Sequence, residues 1–208
     1  MSAAGGSVKR WGEQRRADAR KGPWRRVLAW LGLSPAARRA DAQAADCDAG
    51  AEGERRTAAL LSVLEAEGWR VLHDRAIPGA HSANADHVLV SPGVRVFLVD
   101  SKLWSSRYLV HEQKGRLLHG RVDRGRSVSS IVFEATLVSR ALGVPVQPVI
   151  AMHNAPVAGG GFFVQDVPVV PADRLVDVLR ENDGPRASGA AWLGQLAAQR
   201  LPAYDGRT

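Results

Sequence analysis

Asp86, Asp100 and Lys102 are the residues whose types and spacing could do chemistry together. Two β-rich runs, Asp86 to Val90 and Val94 to Asp100, flank Ser91-Pro92-Gly93, and a short Pro/Gly connection between such runs signals a hairpin. A three-residue loop sets Val90 opposite Val94, which puts Asp86 opposite Leu98 and diagonal to Asp100. The period of two then carries Asp86, Leu98, Asp100 and Lys102 to one face of the sheet. Diagonal neighbours lie about 7 to 8 Å apart, close enough for two carboxylates to converge on one divalent ion. A two-residue turn would instead divide the aspartates between opposite faces. Hard carboxylate oxygens suit Mg²⁺ or Mn²⁺, and such an ion polarises a phosphoryl oxygen and lowers the pKa of a bound water. A nearby ammonium orients that water or offsets developing charge. The set suits hydrolysis of a phosphodiester.

Asp100-Ser101-Lys102 has the form (D/E)-x-K, and with Asp86 upstream on the partner strand the pattern resembles the PD-(D/E)xK nuclease superfamily. Adding the run GAEGERRTAALLSVLEAEGWRVLHDRAIPG ahead of NADHVLVSPGVRVFLVDSKLW narrows the resemblance to the NERD (nuclease-related) domain. The shared order is a Gly-Glu helix start, a strand, an Asp-His strand, a Pro-Gly turn and a strand ending in Asp-x-Lys. It covers residues 50 to 122, with a weaker continuation to about residue 170. The resemblance implies an α/β fold with a mixed central β-sheet flanked by helices, Glu54, Asp86, Asp100 and Lys102 as the active-site set, and DNA as the substrate. Asp86 and Asp100 would hold Mg²⁺ or Mn²⁺, Glu54 would join them directly or through water, and Lys102 would activate the water.

The elements that must position this set are legible in outline. Ala51 to Glu67 reads as a helix stopped by Gly68, with Leu60, Leu61 and Leu64 on one side and Glu54 on about the same face. Alone, Glu54 would be read as an acid serving the dipole of a first helical turn. Trp69 to Arg75 is a strand, and Tyr108 to Glu112 and Arg116 to His119 form a second hairpin around Lys114-Gly115. Ser127 to Leu142 is a helix with Val128, Ile131, Val132, Ala135, Val138 and Leu142 in one stripe, capped by Gly143. Val146 to Met152 and Phe162 to Val170 read as strands, Pro171 opens a helix through Leu179, and Trp192, Leu193 and Leu196 mark a terminal helix. His87 should point away from Asp86 and serve a hydrogen-bonding role. Arg121, Arg124 and Arg126 precede the long helix and could receive phosphates, though solvated loop charge is the commoner use, and Trp104 could stack on a base, though covering the core edge is commoner there.

The organisation expected is a basic N-terminal extension over 1–48, a core over 49–181, and a linker with a C-terminal helix over 182–208. Net charge is +7, of which ten Lys/Arg against five acids place +5 in residues 1 to 48. A basic arm on a near-neutral body suggests nucleic acid or an anionic membrane surface as a partner, the alternative being a solvated tail. Within it Trp24, Val27, Leu28 and Leu31 form a short amphipathic stripe, and Pro35 to Ala45 a further helix followed by a linker through Gly50. The lone Cys47 leaves no intrachain disulfide, no apolar run reaches the ~20 residues that span a bilayer, and the expected location is the cytoplasm. P-loop, G-x-S-x-G and His-Glu-x-x-His patterns are absent. The competing class is a binding module that keeps the fold and holds nucleic acid or an anionic membrane without cutting.

Overall fold

The computed structural model describes residues 35–80 and 84–205, with side chains from residue 48 onward. The Trp24 to Leu31 stripe and most of the basic arm lie outside the described residues.

The β-rich runs build a six-stranded mixed sheet. Helix α1 (Pro35–Ala66) leads into β1 (Arg70–Ala76), β2 (Asn84–Val90) and β3 (Val96–Leu103). A small sheet of β4 (Val110–Gln113), β5 (Arg116–His119) and β6 (Val122–Asp123) follows, and then helix α2 (Gly125–Leu142). The chain returns as β7 (Val146–His153), β8 (Phe162–Val164) and β9 (Val167–Pro171), and ends in α3 (Leu175–Glu181) and α4 (Ala190–Arg200). The large sheet runs β1-β2-β3-β7-β9-β8. β1, β2 and β3 are antiparallel, whereas β7 lies parallel to β3 and β9 parallel to β7.

Alternation along the strands divides the core between two faces. Leu89, Phe97 and Val99 pack against Leu61 and Leu64 of α1 and Leu175 and Leu179 of α3. Val88, Val90, Val96 and Leu98 pack against Val128, Ile131, Ala135 and Val138 of α2 and Leu193 and Ala197 of α4. Helices on both faces explain why β2, β3 and β7 are nearly continuous apolar runs. Gly143 ends α2 at φ 73, with its N–H donating to Ser139 O.

Three expectations need correction. The β2–β3 register sets Val90 opposite Val96 rather than Val94, because Ser91–Arg95 form a five-residue loop. Ser91 N–H donates to Arg95 O, Arg95 N–H donates to Ser91 Oγ, and Val94 turns the chain at φ 63. Helix α1 is continuous through Gly50, where a linker is expected to end, since the flanking alanines favour helix and a glycine at about 1 kcal/mol does not break it. The expected single strand over Phe162 to Val170 is a hairpin, turned by Gln165 and Asp166 at φ 49 and 62.

Candidate functional site

The site forms where β3 reaches its C-terminal end beside the parallel strand β7, the edge at which open α/β sheets commonly bind ligands. Extending the observed register by one pair from His87↔Val99 sets Asp86 directly opposite Asp100. Both share the face of Val88 and Leu98, under α2, and Lys102 follows Asp100 on that face. Asp86 Oδ2 accepts the backbone N–H of Ser101 at 3.0 Å, which fixes the aspartate of one strand against the motif of the next. Lys102 Nζ donates to Asp100 Oδ1 at 2.7 Å.

Glu54 reaches the same edge from the opposite layer. It sits well inside α1 rather than in a first turn, so the helix-dipole reading does not apply. Helix α1 crosses the end of β3 at Gly53, where an added Cβ would lie 3.4 Å from Leu103 Cβ and 3.8 Å from Ser101 Cβ. Glu54 is 4% exposed, and its charge acts on Asp86.

Glu134 is a fourth acid that the sequence reading missed. It lies on α2, half-buried against the Asp100 and Lys102 pair, and its pKa is pushed up to about 8 by burial and by Asp100, with Lys102 opposing. The available signal was its position: it is the sole acid in α2, three residues after Ile131 and four before Val138, hence on the inner edge of the apolar stripe.

The charges explain one another. Burial first, then Asp100 and Glu54, push the Asp86 carboxyl well above the usual range, against the pull of Lys102 and the Ser101 N–H. Burial alone would lower the Lys102 pKa, but Asp100, Asp86 and Glu134 overcome it and hold the ammonium charged.

Behind this face the odd-numbered residues form a buried polar chain. His73 Nδ1 meets His87 Nδ1 at 2.8 Å, and His87 Nε2 meets Ser101 Oγ at 3.2 Å. Ser101 Oγ donates to Thr57 Oγ1 at 2.9 Å, and Thr57 Oγ1 meets His153 Nε2 at 2.7 Å. Since Ser101 donates to Thr57, the Thr57 hydroxyl is left to donate to His153 and the Ser101 oxygen to accept from His87. His87 Nδ1 then accepts from His73, so all four bonds run in one direction between neutral imidazoles. Burial lowers the pKa of all three histidines, in keeping with that neutrality. The chain ties β1, β2, β3, α1 and β7 together beneath the site, and it gives His87 the hydrogen-bonding role its parity implied.

The donor set suits a hard divalent ion, which commonly takes one or two carboxylates and keeps several waters. Asp86 and Asp100 face each other and could hold it, with Glu54 reaching the same edge. Among the described residues no three His, Cys, Asp or Glu side chains converge as a ready cage.

The residues expected to meet nucleic acid lie just past Lys102. Arg121, Arg124 and Arg126 are exposed, and none pairs with a carboxylate among the described residues. Trp104 is half-buried against the core, with Arg124 Cζ 5.0 Å from its ring centroid and the His119 ring 5.2 Å away. Tyr108 is the exposed ring of the group, at 55%. No helix among the described residues is long and apolar enough to cross a membrane.

No curated protein and no solved structure matches the chain. The family model of the nuclease-related domain, NERD, matches residues 49–153, a stretch that contains Glu54, Thr57, Asp86, Asp100, Lys102 and Glu134. The chain belongs to the NERD family, of the PD-(D/E)xK kind.

Proposed function

We propose that this protein is a metal-dependent nuclease that hydrolyses DNA phosphodiester bonds. The observation that carries the reading is the opposition of Asp86 and Asp100 on one sheet face with Lys102 held beside them. A Mg²⁺ or Mn²⁺ ion bound by Asp86 and Asp100 would supply Lewis acidity and a water of lowered pKa. The chain's own groups do the rest. Asp86 is held by the Ser101 N–H and Asp100 by Lys102, so both are oriented before substrate arrives. Lys102 stays charged and offsets the negative charge that develops on the phosphoryl oxygens. Glu134, with a pKa of about 8, can accept or return a proton near neutral pH at the edge of the pair. Arg121, Arg124 and Arg126 would receive flanking phosphates.

Plasmid and single-stranded DNA incubated with purified protein in Mg²⁺, Mn²⁺ or EDTA test the reading. Cleavage is expected with either ion, none in EDTA, and little from the Asp100→Asn protein prepared identically. Equal cleavage by wild type and Asp100→Asn would point to a contaminant and sink the assignment.

The second reading, a module that binds nucleic acid or an anionic membrane without cutting it, draws on the exposed arginines and the basic arm. DNA binding without metal-dependent cleavage in the same assay would favour it.

A further inference from the structure

The small sheet β4-β5-β6 builds a pocket of about 620 Å³ beginning immediately beyond the Asp-x-Lys motif. Ser105, Tyr108, His119, Arg121 and Arg124 line it. That volume falls within the ordinary range for small-molecule pockets, about 300 to 1,000 Å³. Its order is local and specific. His119 lies against Ser105 O at 2.9 Å through Nε2, packs beside Trp104, and meets the Tyr108 ring edge to face at 5.6 Å. Gly120 presses against Tyr108 at φ 60, where an added Cβ would come 3.1 Å from Tyr108 Cδ1. Tyr108 is therefore fixed from behind by His119 and Gly120, yet 55% exposed.

We propose that this pocket holds one unpaired nucleobase stacked on Tyr108, with its phosphates on Arg121 and Arg124, and hence that the site acts on single strands or frayed ends. This rests on the nuclease reading and names its substrate class. Three features favour a base over other occupants. The exposed group is an aromatic ring, on which any base can stack. The lining pairs that face with two cations and contains no carboxylate, which suits an anionic aromatic ligand. The pocket begins close to the proposed phosphodiester site: Ser105 in its lining lies three residues beyond Lys102, about 10 Å along an extended chain and within a nucleotide's reach. A base stacked between its neighbours in a duplex cannot offer a face to Tyr108, whereas a single strand can.

Fluorescence anisotropy in EDTA, where no cleavage occurs, tests the inference on the full chain. The probes are a labelled single strand of about 12 nucleotides, the same backbone carrying abasic residues, and the matching duplex. Wild type should prefer the base-bearing strand. Tyr108→Ala should weaken that binding by roughly 5- to 100-fold and erase the preference over the abasic strand, while Tyr108→Phe retains both. Duplex affinity should not change with either substitution. A Tyr108→Ala protein that still prefers base-bearing strands would overturn the inference, as would displacement of the strand by a polyglutamate peptide equally well from wild type and Tyr108→Ala. Should Tyr108 prove irrelevant while Mg²⁺-dependent cleavage still requires Asp100, the pocket assignment fails and the nuclease reading stands. Tyr108-dependent stacking without such cleavage would support the pocket and remove the hydrolytic reading.

Discussion

Lys102 Nζ lies 2.7 Å from Asp100 Oδ1, so the ammonium of the Asp-x-Lys motif is held by the motif's own carboxylate. The arrangement keeps Lys102 charged in a crowded site, and in the proposed reaction the ammonium would act on charge that appears only in the transition state. Lys102→Ala is expected to lower kcat by about 10²- to 10⁴-fold while leaving DNA affinity within a few-fold, a split characteristic of an interaction made in the transition state. Single-turnover cleavage and equilibrium binding measured on the same preparations check this. A parallel loss of affinity would make Lys102 a binding residue instead.

Asp86 bears the cost of burying like charges together, with burial, Asp100 and Glu54 acting on it. Its folded pKa is raised well above 3.8, so between those values the folded protein holds a proton that the unfolded chain has lost, and stability falls as pH rises through that window. Asp86→Asn removes the charge and keeps an oxygen to accept the Ser101 N–H. In EDTA at pH 8 it should be more stable than wild type by about 0.5 to 2 kcal/mol, with the gain shrinking toward pH 5. Asp100→Asn should behave oppositely, because it takes the partner from Lys102. Thermal unfolding of the three proteins across pH reads both signs; a destabilised Asp86→Asn at pH 8 would show that Asp86 is held favourably as an anion.

The facing carboxylates were legible because parity is robust where register is not. A three-residue loop and the observed five-residue loop differ by one full pair, so Asp86 moved from diagonal to directly opposite Asp100 without changing face. Glu134 escaped because α2 was read only for its apolar stripe, and nothing local says that its inner edge lies over residues some thirty positions earlier. Trp104 packs against the core, the commoner use of a tryptophan at that edge, and its partners His119 and Arg124 arrive from the small sheet and the turn into α2. The β8–β9 turn was hidden by Gln165-Asp166, residues without the usual Asn-Gly signature for two positive φ angles.

Glu134 makes the site's pH response testable. Its pKa of about 8 against 4.5 means that between those values the folded state holds an extra proton and loses stability as pH rises, with a slope of up to about 1.4 kcal/mol per pH unit. Glu134→Gln should flatten the fall in stability between pH 6 and 8 relative to wild type. Metal should also act more weakly on the variant's protonation: wild type is expected to release protons on binding Mn²⁺ at pH 7, because cation charge favours the ionised carboxylates, and Glu134→Gln to release fewer. Calorimetry in buffers of different ionisation enthalpy counts those protons. Equal release from both proteins would separate Glu134 from the metal site.

The basic arm is the last part to test, and the fold changes how to test it. Removing residues 1–48 would cut into α1, which runs unbroken from Pro35 to Ala66 and carries Glu54 and Thr57, so the informative deletion is 1–34. That deletion removes eight Lys/Arg and leaves the described helix whole. If about four of the eight meet phosphates, the slope of log affinity against log salt should fall by roughly 2.8 on single strands and 3.6 on duplex. Metal-dependent cleavage at saturating DNA should survive, since the acids and Lys102 lie in the part retained. The deleted protein should also keep the wild-type preference for base-bearing over abasic strands, because Tyr108 and its pocket remain. An unchanged salt slope would assign the arm to something other than nucleic acid, and flotation with vesicles containing anionic lipid would then test the membrane surface as its partner.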